Sequence, residues 1–112
     1  MRSPITTHVL DTALGRPAAG ITIRLSRIDG SDIELASGTT NDDGRIADLL
    51  APGSLEASTY RVTFETGPYF EAAGRPVFYP EVSVVFTIRE TTQHYHVPLL
   101  LSPFGYSTYR GS

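Results

Sequence analysis

Three histidines, one arginine set behind a turn, and a hydroxyl-bearing C-terminus are the groups in this sequence best able to do chemistry. His8, His94 and His96 are the only histidines. Imidazole titrates near neutral pH, so it can take a proton from water or hand one to a leaving group under ordinary conditions. His94 and His96 lie two apart. In a strand that spacing puts both on one face, with Tyr95, Val97, Leu99 and Leu101 on the opposite, core-facing side. On spacing alone they read as two exposed strand histidines. Pro98 and Leu100 share their face, however, and make it a face suited to cover by another subunit. His8 falls on the side of Thr6 and Leu10, opposite Ile5, Thr7, Val9 and Asp11. A lone strand histidine reads first as a surface or interface residue.

Arg45 follows Asn41-Asp42-Asp43-Gly44. Taken alone it is a solvated turn arginine, or a partner for Asp42 or Asp43. Held rigidly, its guanidinium would grip a planar polar ligand through two parallel hydrogen bonds. The chain ends in Tyr109-Arg110-Gly111-Ser112, after the apolar run Val97–Leu101 and the turn Ser102-Pro103-Phe104-Gly105. Most termini fray. One that ends on a strand is expected to be built into the fold, with a tyrosine, an arginine, a hydroxyl and a free carboxylate in one fixed place. Three histidines also permit a zinc-bound water, using the His-x-His pair and His8. That spacing is permissive and leaves metal-bound and metal-free readings open. No serine stands in a Gly-x-Ser-x-Gly elbow, so a serine nucleophile is the weaker reading.

The elements that must position these groups show a period of two. Ile21, Ile23 and Leu25 alternate with polar residues, as do Tyr60, Val62 and Phe64, and Val82, Val84, Phe86 and Ile88. Each run predicts a half-buried strand. Weaker strands are predicted at Ile5–Asp11, Ile33–Gly38, a short piece after Gly44, Gln93–Leu101 and Gly105–Arg110. Gly15, Asp29-Gly30-Ser31 and Asn41-Asp42-Asp43-Gly44 carry the turns between them. Gly67–Gly74 breaks the alternation and reads as one short helix, with Pro68 at its first position and Gly74 just past its end. Short strands at regular spacing with one helix make an all-β sandwich.

The 112 residues allow one domain, 1–112, with one core. A formal charge of −3 without a basic stripe argues against a nucleic-acid partner. The lack of cysteine excludes disulfides, thiolate metal sites and a cysteine nucleophile. Met1–His8 has no apolar core of a secretory signal, and no stretch approaches the ~20 apolar residues that span a membrane. The expectation is a soluble, cytoplasmic protein without a membrane partner.

Joined together, these motifs resemble one family along nearly the whole chain. Thr7-His8-Val9-Leu10-Asp11-Thr12 with Gly15-Arg16-Pro17-Ala18 is similar to the opening of the 5-hydroxyisourate hydrolases, the transthyretin-like enzymes of purine breakdown. Asn41–Arg45 resembles that family's arginine-bearing turn, and Gln93–Thr108 its penultimate strands. Tyr109-Arg110-Gly111-Ser112 matches its terminal signature, which the hormone carrier transthyretin lacks. Arg27–Leu35 and Leu50–Ser58 are the segments least tied to the family. The resemblance implies a transthyretin-like β-sandwich of two four-stranded sheets with one short helix. It implies a homotetramer, a dimer of dimers, with active sites where the dimers meet. It implies hydrolysis of the N1–C6 cyclic amide of 5-hydroxyisourate without metal or other cofactor. His8, Arg45, His96 and Ser112 would be catalytic, and His8, Arg45, Tyr109 and Arg110 would bind substrate. His94 would stand behind them.

Overall fold

Apolar alternation builds two sheets whose inner faces meet. The computed structural model describes residues 3–46 and 48–112. The first sheet contains β1 (Ile5–Asp11), β2 (Arg16–Pro17), β7 (Tyr95–Ser102) and β8 (Gly105–Thr108), in the order β2-β1-β7-β8. The second contains β3 (Thr22–Ile28), β4 (Asp32–Thr39), β5 (Ser58–Phe64) and β6 (Val82–Ile88), in the order β4-β3-β5-β6. Among the described residues only β1 and β7 pair in parallel. Ile5, Val9, Leu99 and Leu101 from the first sheet meet Ile23, Leu25, Tyr60, Val62 and Phe64 from the second, all essentially without solvent contact. Each such side chain contributes about 1.5–3 kcal/mol relative to exposure. The opposite faces of β1 and β7 are therefore left to carry Thr6, His8 and His96, with His94 just ahead of β7 rather than in it, although the sequence predicts that strand from Gln93.

The helix, α1 (Thr66–Ala72), begins two residues earlier than its sequence signals suggest, and Pro68 is its third residue rather than its first. Proline is tolerated there because the first four helical N–H groups lack intrahelical partners anyway. Tertiary bonds extend the start: Thr66 Oγ1 donates to Tyr79 O at 2.6 Å and Gly67 N to Pro80 O at 2.7 Å. Gly74 does lie past the helix end.

Two further strand expectations are corrected. The piece after Gly44 is not a strand among the described residues but a single bridge between Arg45 and His8. Its place in the first sheet is taken by Arg16–Pro17, too short for any period to reveal and containing a proline. Ala47, within the expected piece, lies outside the described residues, as do Met1 and Arg2 of the segment read for a leader. The last strand stops at Thr108 rather than Arg110. Leu99 pairs with Thr108, and the same register returns at His96 and Gly111. The gap falls opposite Pro98, which has no N–H to give, and Thr108 Oγ1 donates to the Pro98 carbonyl at 2.7 Å.

The far end of β1 is anchored by an ion pair that no motif revealed. Asp11 has no solvent exposure. Its carboxylate accepts from Arg75 Nη1 at 2.6 Å, Tyr69 Oη at 2.7 Å and the backbone N–H groups of Ala13 and Leu14 at 3.1 Å. Burial pushes the Asp11 pKa up, but the hydrogen bonds from Arg75, Tyr69 and Leu14 outweigh it and hold it below the ordinary value. Removing one partner of a buried pair strands the other, so Asp11→Ala should cost about 3–5 kcal/mol in chemical denaturation. The sign with pH follows. A depressed carboxylate stabilises the fold above its unfolded pKa of about 4, and this contribution disappears as pH falls through the lower folded value. Wild-type denaturation midpoints should drop over that acid window. Those of Asp11→Asn should start lower and stay flatter; equal slopes would remove Asp11 from the account.

Candidate active site

Pairing across the first sheet sets the site in rows. Because β1 runs parallel to β7, Thr6 stands beside His96 and His8 beside Pro98. Arg45 extends the His8 row on the outer edge of β1, and Gly111 extends the His96 row on the other side of β7. Residues from four separate stretches of chain thus converge.

Arg45 is held there by its turn. Asn41 Oδ1 accepts from the N–H groups of Asp43 at 2.9 Å and Arg45 at 3.1 Å. Gly44 sits at φ +72°, and a Cβ on it would come 2.4 Å from the Val9 carbonyl oxygen. Only glycine lets the turn press this closely on β1, where Val9 N–H donates to Gly44 O at 2.8 Å.

The result is a hollow of about 230 Å³ lined by Thr6, Asn41, Arg45, His94, His96 and Ser112, together with Thr7 and Ile46. Of the residues singled out in the sequence, Arg45, His96 and Ser112 come together in it, joined by His94. His8 is half-buried beside it and senses Arg45 electrostatically. Tyr109 and Arg110 do not line it; they line a neighbouring, more apolar hollow with Val84, Phe86, Tyr95, Val97 and His96, and His96 borders both. The Arg110 guanidinium stacks 4.4 Å from the Tyr95 ring centre and donates to Gln93 Oε1 at 2.8 Å. In this chain, then, Arg110 fastens the tail.

Thr6 is the pocket residue that sequence reasoning passed over. Its Oγ1 lies 2.8 Å from His94 Nε2 and 2.9 Å from His96 Nδ1. Its position two residues before His8 signalled a shared face, but only the β1–β7 pairing shows what it meets.

Electrostatics favour neutral imidazoles. Burial lowers the His96 pKa most, and the charges of Arg45, His8 and His94 lower it further. Burial and Arg45 likewise lower that of His8, against a hydrogen bond to the Asp43 backbone that raises it. A neutral imidazole beside a fixed guanidinium can deprotonate water while the cation receives developing negative charge. No three His, Asp or Glu side chains among the described residues are grouped to hold a metal ion.

The HIUase/transthyretin family model matches residues 5–111. The chain belongs to the HIUase/transthyretin family. It is 52% identical to 5-hydroxyisourate hydrolase of Mus musculus, over 98% of this chain and 96% of that one. Among solved structures, 5-hydroxyisourate hydrolase of Klebsiella pneumoniae matches with a TM-score of 0.84 and 42% identity, over 96% of this chain and 98% of that one. Sea bream transthyretin in complex with thyroxine matches with a TM-score of 0.91 and 34% identity, over 96% and 94% of the two chains. Backbone likeness therefore does not separate a hydrolase from a carrier within the HIUase/transthyretin family. The side chains around the hollow must do that. No helix among the described residues is long and apolar enough to cross a membrane.

Proposed function

We propose that this chain, as one domain spanning residues 1–112, hydrolyses 5-hydroxyisourate at its N1–C6 amide, opening the six-membered ring to 2-oxo-4-hydroxy-4-carboxy-5-ureidoimidazoline in urate catabolism. The observation that carries the reading is the convergence of His96, Arg45 and Ser112 on one hollow, in a chain half identical to a named hydrolase. A binding site for an apolar hormone has no need of two depressed histidines beside a guanidinium.

The chemistry follows from the groups present. One neutral histidine of the pair His8 and His96 takes a proton from water, and the hydroxide adds to C6. The carbonyl oxygen becomes an oxyanion, for which the Arg45 guanidinium offers two N–H donors. Collapse breaks the C6–N1 bond, and a protonated histidine gives N1 the proton it needs to leave. Ser112, through its hydroxyl or terminal carboxylate, orients the ring or the water.

Tyr109 and Arg110 contact substrate in this scheme through assembly. The proposed assembly is a homotetramer, a dimer of dimers with active sites where dimers meet. Its support is the exposure of Phe104, Tyr106 and Val85 on and beside the edge strands β6 and β8, each of which has a strand neighbour on one side alone among the described residues. Exposed strand edges and apolar groups invite another chain.

A coupled ultraviolet assay tests the function. Urate oxidase generates 5-hydroxyisourate, and its decay is followed with and without this protein. Decay faster than the spontaneous rate, undiminished by chelator and at least ~10²-fold slower in His96→Ala, is the expected result. Decay at the spontaneous rate from a folded protein would move the reading to a ligand carrier. Loss of activity with chelator would move it to a zinc hydrolase.

A further inference from the structure

The contact between Thr6 and two imidazoles has a chemical consequence beyond holding them in place. Thr6 Oγ1 lies within hydrogen-bond distance of both His94 Nε2 and His96 Nδ1. A hydroxyl carries one proton and two acceptor lone pairs, so it can donate to only one ring nitrogen at a time. When that proton goes to one of the two histidines, they take opposite roles. Either His96 donates from Nδ1 and Thr6 donates to His94, or the whole chain of bonds runs the other way.

The polarity matters because only one edge of the His96 ring is left for substrate. Its Nδ1 is engaged by Thr6. Its Cδ2 side is covered by the tail, since a Cβ placed on Gly111 would fall 2.5 Å from Cδ2. What remains is the Cε1–Nε2 edge, and His96 lines the hollow with Arg45 and Ser112. A proton on Nδ1 leaves a lone pair on Nε2, which is what a base requires. The reverse polarity leaves Nε2 protonated and unable to accept.

We propose that Thr6 is a positioning residue and proton relay that holds His96 as the Nδ1–H tautomer and passes its proton to His94. This rests on the hydrolase reading and deepens it, naming His96 as the base. The protons balance. A water O–H bond breaks and an Nε2–H bond forms on His96. The Nδ1–H bond of His96 breaks as its proton moves to Thr6 Oγ1, whose own proton moves to His94 Nε2. Hydroxide adds to C6, and the positive charge rests on His94. When the C6–N1 bond breaks, His96 gives its Nε2 proton to N1 and the other two protons return. The relay spreads over a second ring a charge that Arg45 and His8 oppose on His96.

Thr6→Val keeps the β-branched shape and removes the hydroxyl; Thr6→Ser keeps the hydroxyl. Thr6→Val should lower kcat about 10- to 100-fold with KM within about threefold, and Thr6→Ser should stay within about threefold of wild type in both. Nitrogen-15 NMR of histidine-labelled protein, at a pH where the rings are neutral, should show His96 as the Nδ1–H tautomer in wild type and Thr6→Ser. In Thr6→Val it should be a mixture. The same spectra show whether each variant is folded. A folded Thr6→Val with kcat within twofold of wild type overturns the proposal. So does a Thr6→Ser as impaired as Thr6→Val, or an Nε2–H tautomer in the wild type. The NMR measurement needs no substrate. An inactive wild type would thus overturn the hydrolase reading while the tautomer still decided the polarity at Thr6.

Discussion

Gly111→Ala should leave a folded protein that has lost at least about 10²-fold in kcat/KM. The tail glycine pairs with His96, giving its N–H to the His96 carbonyl at 2.8 Å. There the Cδ2 edge of the imidazole points at the glycine, and an added Cβ would sit 2.5 Å from Cδ2 and 3.3 Å from Cγ of the ring. Non-bonded carbon atoms prefer about 3.5–4.0 Å. Something must move by roughly 1 Å. Gly111 is not among the positive-φ glycines, so alanine adds no backbone strain and the clash alone acts. Either the ring swings from Thr6 or the tail lifts and takes Ser112 from the hollow. A displacement of about 1 Å in a catalytic group costs on the order of 10²-fold. The core is untouched, so the thermal midpoint should change little. The measurement is kcat/KM in the 5-hydroxyisourate decay assay beside a melting curve. Near-wild-type turnover would show that the tail does not constrain His96.

Arg45→Met should lower kcat/KM by about 10²- to 10³-fold, the range for removing a preorganised donor from a developing oxyanion. It should also move the acid limb of the pH profile. Arg45 opposes a second positive charge on His8 and His96, after burial the largest cause of their lowered pKa values. Removing it raises both, so the neutral base is populated only at higher pH and the limb shifts upward. Arg45→Lys separates charge from geometry: it keeps the cation and loses the two-pronged donor. Its histidines should titrate close to wild type while turnover still falls. Proton NMR titration of the imidazoles, read beside the pH–rate profile, checks both variants. A limb that stays put in Arg45→Met would show that the guanidinium does not act on these histidines.

Much of the fold was legible because strand faces are a local property. Ile23 and Leu25, or Val62 and Phe64, announce an inner face within a few residues, and both pairs are buried. So was the placement of His94 and His96 opposite Tyr95, Val97 and Leu99, since a period of two is enough to assign them. Exceptions arose where a partner decides. Arg16–Pro17 becomes a strand only because β1 is there to pair with it. The final strand breaks at Thr108 because Pro98, on its neighbour, lacks an N–H.

The site divides along the same line. Sequence by itself determined the chemical inventory: three imidazoles, a guanidinium behind a glycine turn, a terminal Tyr-Arg-Gly-Ser. It also determined on which face of its strand each histidine stands, since alternation does not depend on distant contacts. Only the tertiary structure decided which groups meet. It brought Thr6 between His94 and His96, set Gly111 against the Cδ2 edge of the His96 ring, seated Arg45 beside His8, and placed Tyr109 and Arg110 on a neighbouring hollow. It also joined Asp11 to Arg75, two residues that no motif links. The physical reason is that strand pairing and register are chosen by closing the whole sandwich over its core. Nothing within seven residues of β1 records that β7, almost ninety positions away, will run parallel beside it.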